Sequence, residues 1–205
     1  MARRSAATAR AYIGLGANVG DARATLRDAV AALAELPGAR LVGVSRLYRT
    51  KPVGVTDQPD FLNAVVALDL PAGGDPASGA TALLVALKGL ELDFGRRQRR
   101  RWGPRELDLD LLLFGDAQLA IERPPAGVPL SANLDPGAAA RLLEVPHPSM
   151  RDRLFVLAPL ADLAPDRIPP GWGEPVEARR RALEAADPDA VTLTAAWSPG
   201  RADWA

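Results

Sequence analysis

The segment Leu107-Asp108-Leu109-Asp110-Leu111 alternates apolar and acidic residues without a break, then runs through Leu112-Leu113-Phe114 to Gly115-Asp116. Strict alternation of this kind describes a β-strand. Its leucines share one face and its two carboxylates the other, roughly 7 Å apart along the chain. One such strand commits the chain to a sheet, and the flanking sequence has to supply its neighbours and its cover.

Ala11 to Gly16 reads as a short buried strand entering the turn Ala17-Asn18-Val19-Gly20-Asp21. From Asp21, an N-cap, Leu26, Ala29, Val30, Leu33 and Leu36 recur at three-four spacing up to Pro37-Gly38, which predicts an amphipathic helix. Leu41 to Tyr48 and Phe61 to Leu68 read as antiparallel strands around a long loop marked by Pro52, Gly54, Asp57 and Pro59. A break at Pro71 to Gly79 precedes a second helix over Ala80 to Phe94, ended by Gly95. Beyond the Leu-Asp strand, residues 124–141 read as a surface insertion rich in Pro, Gly and Ala, and Val145-Pro146-His147-Pro148 as extended chain. Met150 to Leu163 carries an apolar periodicity interrupted by Pro159, Val176 to Ala186 a short basic helix, and Val191 to Trp197 a late strand. Strand, helix, strand, strand, helix, strand is the order of a split β-α-β. The expected class is α+β, a ferredoxin-like sandwich with helices on one face of a mostly antiparallel sheet. Residues 1–10 are expected to form a flexible tail and 11–205 one domain.

Composition narrows the chemistry. With 205 residues, 48% of them hydrophobic, the chain can bury one core, and 25 basic side chains balance 25 acidic ones. No global field draws it to nucleic acid or a membrane, and any polyanion site must be local. Cysteine is absent and His147 is the single histidine, which excludes thiolate catalysis and a multi-histidine metal centre. No apolar run is long enough for a membrane span or, near the amino end, for a secretory signal, so a cytoplasmic protein is expected.

Carboxylates and guanidinium groups are left to do the work. Asp108 and Asp110 offer hard oxygen ligands on a rigid element, suited to Mg²⁺ shared with phosphates; the plain alternative is a strand face turned to water. Six arginines lie between Arg96 and Arg105, directly before this strand. Their forks match phosphate oxygens, whereas a solvated charge run or an RNA-binding loop with Trp102 as stacking platform are the competing readings. Phe61 and Asn63 are i and i+2 beside Thr50, so a ring and a carboxamide point the same way and can meet a flat heterocycle. Arg153 and Phe155 repeat that spacing.

Taken together, these stretches resemble the 6-hydroxymethyl-7,8-dihydropterin pyrophosphokinase family of folate biosynthesis. Arg101-Trp102-Gly103-Pro104-Arg105-Glu106-Leu107-Asp108-Leu109-Asp110-Leu111-Leu112 is similar to the family's diagnostic motif. It is accompanied in order by Tyr12 to Asn18, Tyr48-Arg49-Thr50, Asp57 to Ala64 and Val145-Pro146-His147, over about Ala11 to Asp166. The resemblance implies a ferredoxin-like fold, ATP with two Mg²⁺ ions, and transfer of the β,γ-pyrophosphoryl unit to the pterin hydroxymethyl group with release of AMP. By position it implies Asp108 and Asp110 as metal ligands and Arg96, Arg105, His147 and Arg153 on the phosphates, with Glu91, Arg101 and Trp102 as further nucleotide contacts. Arg96 and Arg105 join the two aspartates as catalytic residues. The pterin would stack between Phe61 and Phe155 and meet Thr50, Asn63 and backbone at Lys51 and Val53. The second phosphate arginine is Arg97 or Arg99, and Trp102 lies on a loop expected to close over both substrates. Small-molecule substrates and a monomer are implied, without nucleic-acid or membrane partners. A D-x-D nucleotidyltransferase and a non-catalytic nucleotide- or RNA-binding module are the alternatives. Residues 171–205 match only loosely, and Trp172, Trp197 and Trp204 within them are expected to tolerate replacement by Phe.

Overall fold

A computed structural model describes residues 8–52, 54, 56–96, 103–123 and 141–205. Strand β1 (Thr8–Ala17) pairs antiparallel with β4 (Phe61–Pro71) on one side and with β5 (Asp108–Phe114) on the other. Two shorter strands, β2 (Arg40–Val44) and β3 (Leu47–Thr50), succeed one another along the far edge of β4. Helix α1 (Ala22–Ala34) carries the chain from β1 to β2 across the position that β4 fills, and α2 (Pro76–Asp93) carries it from β4 to β5 across β1. This is the expected split β-α-β order, antiparallel at every described pairing.

Four differences from the sequence reading have identifiable physical causes. Thr8 to Arg10, expected in the tail, pair with Pro71 to Asp69 and belong to β1. Asp69 there faces Arg10 across the ladder on one side and Arg40 on the other, and is ion-paired to both. The strand expected over Leu41 to Tyr48 is broken at Ser45, whose hydroxyl accepts the Val65 N–H at 2.8 Å in place of a backbone carbonyl. Helix α2 starts at Pro76 rather than Ala80, because Asp75 caps it through Ser78 N at 2.9 Å and proline is at home in the first turn. A Pro/Gly-rich segment taken as a break thus contains a helix start. Finally, β6 (Leu119–Glu122) and β7 (Arg141–Val145) form a hairpin, so Arg141 is strand and not insertion, while residues 124–140 lie outside the described residues.

Helices cover both faces, not one. Leu26, Leu33, Leu83 and Leu87 of α1 and α2 pack on Ile13, Leu15, Leu68 and Leu109. On the opposite face, α3 (Leu154–Leu163) and α4 (Val176–Ala186) bring Leu157, Leu160 and Val176 onto Tyr12, Val65 and Leu112. The second layer follows from β4 itself, where Ala64 to Leu68 are all buried; a run apolar on both faces cannot leave either in water.

The carboxyl-terminal segment is also part of the core. Strand β8 (Val191–Ala195) adds to β3, and β9 (Trp197–Ser198) pairs with β10 (Asp203–Trp204). Trp204 is fully buried, donates its indole N–H to Ser45 O at 2.8 Å and meets Trp197 edge to face at 4.8 Å. It fills the break between β2 and β3, and a phenyl ring there would leave the Ser45 carbonyl without its indole donor, which argues against the expectation that Phe can replace all three late tryptophans. Trp204→Ala should cost about 3–5 kcal/mol in urea unfolding, whereas Trp197→Phe should stay within about 1 kcal/mol. An unchanged midpoint for the first variant would show that the hairpin contributes no stability.

Candidate active site

The register of the central strands places the polar residues. Across the sheet face that α3 covers, Asp110, Gly14 and Val65 stand in one row, and Asp108, Gly16, Asn63 and Tyr48 in the next. Gly16 leaves the floor between Asp108 and Asn63 without a side chain. A Cβ there would come within 3.3 Å of Asn63 Oδ1 and 3.9 Å of Asp108 Cβ, so any larger residue would fill the gap. Phe61 and Thr50 sit directly opposite each other one step further out, and Asn63 Nδ2 donates to Thr50 Oγ1 at 2.9 Å. The ring, the hydroxyl and the carboxamide therefore share one end of one face.

On the other side of the gap, charge is organised around β5. This strand lies at the edge of the sheet, and at Leu109 its outward backbone is satisfied by α2: Glu91 Oε1 accepts Leu109 N at 2.8 Å, and Lys88 Nζ donates to Leu109 O at 3.2 Å. Lys88 also donates to Glu91 Oε1 at 2.8 Å. Past Gly95, which ends α2 at φ +82°, Arg96 N returns to Glu91 O at 2.9 Å. Its guanidinium bridges the buried Glu91 carboxylate and Asp108 Oδ1, the latter at 3.0 Å. Arg105 donates to the same Asp108 oxygen at 3.1 Å.

These neighbours separate the two carboxyl groups. Burial pushes the Glu91 carboxyl above its ordinary range, a tendency that Lys88 and Arg96 only partly offset. Burial acts in the same direction on Asp108, but the cations of Arg105, Lys88 and Arg96 outweigh it and hold that carboxyl below its ordinary range. His147 is pushed down by burial against the opposing pull of Asp110. Its Nδ1 accepts Ser149 N at 3.3 Å, so the neutral ring carries its proton on Nε2 as a donor. Arg153 lies 5.7 Å from the centre of the Phe155 ring, just ahead of α3.

Residues 12–165 match the model of the 7,8-dihydro-6-hydroxymethylpterin-pyrophosphokinase (HPPK) family. The chain belongs to that family. A 2-amino-4-hydroxy-6-hydroxymethyldihydropteridine pyrophosphokinase of Pseudomonas aeruginosa is 44% identical over 163 residues, 79% of this chain and 85% of that protein. One of Methylorubrum extorquens is 41% identical over 185 residues, 89% of this chain and 96% of that protein. The fold is similar to a crystal structure of a Plasmodium falciparum HPPK-DHPS triple mutant with pteroate, at a TM-score of 0.67 and 15% identity. That comparison covers 97% of this chain and 48% of the other, so the chain spans about half the length of that structure.

Within this HPPK chain Arg96 and Arg105, expected on the phosphates, join the expected metal ligand Asp108 and the expected nucleotide contact Glu91 in one cluster, and Thr50 and Asn63 are hydrogen-bonded in a second. The His147 backbone N–H donates to Leu112 O at 2.9 Å, which seats His147 beside the strand that carries Asp110. Lys51 is exposed at the start of the loop after β3. Val53, Arg101, Trp102 and both candidates for the second phosphate arginine, Arg97 and Arg99, lie outside the described residues. Sequence reasoning overlooked Lys88, although its place three residues before Glu91 on a helix was a usable signal. It quoted Asn18 without a role. Glu91→Ala should destabilise the protein by about 1–3 kcal/mol more than Glu91→Gln in urea unfolding, because only glutamine keeps an acceptor for the Leu109 N–H. Equal losses would mean that this edge bond contributes nothing.

Proposed function

We propose that the chain transfers the β,γ-pyrophosphoryl unit of ATP to the hydroxymethyl group of 6-hydroxymethyl-7,8-dihydropterin in folate biosynthesis, giving AMP and the pterin diphosphate. Relatives that the chain matches over most of their length are named for this pyrophosphokinase. The observation that carries the assignment is Asp108 Oδ1 held between Arg96 and Arg105, with Asp110 two residues along the same face. A nucleotidyltransferase or an RNA-binding module is not favoured by membership of this family.

The donor set fits Mg²⁺. Asp108 and Asp110 supply hard oxygens two residues apart on one face of β5, the kind of donor that Mg²⁺ shares with phosphate oxygens and water. Bound there, Mg²⁺ would neutralise charge on the phosphates; a pair of ions is part of the proposal. Arg96 and Arg105, once released from Asp108, present their forks to phosphate oxygens, and His147 and Arg153 add donors. Phe61 and Phe155 stack the pterin, whose edge meets Thr50, Asn63 and backbone at Lys51 and Val53. Arg101 and Trp102 complete the nucleotide contacts. The pterin hydroxymethyl oxygen bonds to Pβ as the bond from Pβ to the α,β-bridging oxygen breaks. That oxygen leaves on AMP, and the hydroxyl proton is released. Action as a cytoplasmic monomer is part of the same proposal and rests on the sequence reading.

Phosphorus NMR of a reaction with ATP, Mg²⁺ and the hydroxymethyl-dihydropterin should show AMP and a pterin diphosphate; free pyrophosphate with a nucleotidylated product would replace this reading by nucleotidyl transfer. Asp110→Asn should abolish turnover while leaving the unfolding midpoint nearly unchanged, and activity retained at saturating Mg²⁺ would remove its metal role. Phe61→Ala should weaken pterin binding by about 1 kcal/mol with ATP affinity unchanged, read by titration calorimetry. An unaltered pterin affinity would place the ring elsewhere.

A further inference from the structure

Asn18 lies in the turn between β1 and α1 and is 4% exposed. Its side chain joins two segments that are far apart in sequence and close in space. Its Nδ2 donates to Pro59 O at 2.9 Å and to Gln58 Oε1 at 3.1 Å, in the loop that leads into Phe61. Its Oδ1 accepts Arg105 N at 2.8 Å, and its own backbone N–H donates to Arg105 O at 3.0 Å. Arg105 is thereby held at both backbone atoms by one residue, while its guanidinium reaches Asp108.

The chemistry of the position is narrow. A backbone N–H on one side demands an acceptor, and a backbone carbonyl on the other demands a donor. A short side chain with both in one plane is a carboxamide. Buried bonds of this kind are costly to leave unmade, so moving one partner pulls on the others.

We propose that Asn18 is a positioning residue that couples the two substrate sites, by tying the loop before Phe61 to the backbone of Arg105. This rests on the functional reading above, in which Phe61 meets the pterin and Arg105 meets the phosphates. Asn18 acts in this reading through Arg105 and the loop before Phe61. Its part is to make the placement of one wall depend on the placement of the other, so that nucleotide held against Arg105 favours the pterin-binding arrangement of residues 58–61. Affinity coupling of this kind is reciprocal.

The test is a binding cycle on the full chain, with pterin affinity measured by calorimetry in the absence and presence of a non-hydrolysable MgATP analogue. Asn18→Asp keeps the acceptor for Arg105 N but loses the donor to both Pro59 O and Gln58 Oε1 and sets an oxygen against them, so it breaks the loop side of the tie at constant volume. It should reduce the factor by which nucleotide tightens pterin binding at least tenfold, with nucleotide affinity alone changed less than threefold. Gln58→Ala, which removes the Asn18 Nδ2–Gln58 Oε1 bond and leaves the bond to Pro59 O, should reduce the factor by a smaller amount and guards against a folding defect in the first variant. A general loss of stability would weaken both ligands and leave their coupling intact. An unchanged factor in both variants, or a wild-type protein that binds the two ligands independently, would overturn the inference alone. A wild-type protein that binds no pterin would overturn the functional reading, and the inference with it.

Discussion

Strand β1 is hydrogen-bonded on both edges and sheltered on both faces, and the rest of the structure is arranged around that constraint. Its edges require β4 and β5 as antiparallel neighbours, which forces α1 and α2 to cross over on one face. Tyr12, together with Val65 and Leu112 beside it, requires α3 and α4 on the other. Where β1 ends in Gly14 and Gly16, the apolar requirement lapses. The sheet then presents Asp108 and Asp110 on one side of a bare floor and Asn63 on the other. The site is the part of this face that apolar packing does not claim.

Electrostatics organises what the backbone places there. Among the ion pairs of a chain with no net charge, those beside β5 share partners, Arg96 lying between the buried Glu91 carboxylate and Asp108. Lys88 and Glu91 also complete the outer edge of β5, so the residues that hold the strand in place are the same ones that set the charge around its aspartates. Stability and site geometry are joined at this edge, because an unsatisfied strand edge and an uncompensated buried carboxylate are both expensive.

Much of this was legible in the sequence. The Leu-Asp alternation identified β5 and the face that carries the carboxylates, and Asp21 with its three-four apolar spacing identified α1. The resemblance to HPPK named Glu91, Arg96, Arg105 and Asp108 of one cluster and Thr50 and Asn63 of the other, and missed Lys88. What stayed hidden depended on partners distant in sequence. Ser45 breaks a strand because its hydroxyl reaches Val65, and Trp204 is core because the resulting gap lies against it. Nothing near either residue announces this.

By itself, the sequence determined periodicity, local capping and side-chain chemistry, since these act over a few residues and are written in spacing and residue type. It therefore settled which strand carries the carboxylates, which turns punctuate the chain and which charges are available. Only the tertiary structure decided that helices cover both faces, that the carboxyl-terminal hairpin enters the core, and that Asn18 joins the loop before Phe61 to Arg105. Each of these is a choice of partner across 40 residues or more, made by burial and hydrogen-bond satisfaction once the sheet has brought the candidates together, and no local pattern encodes it.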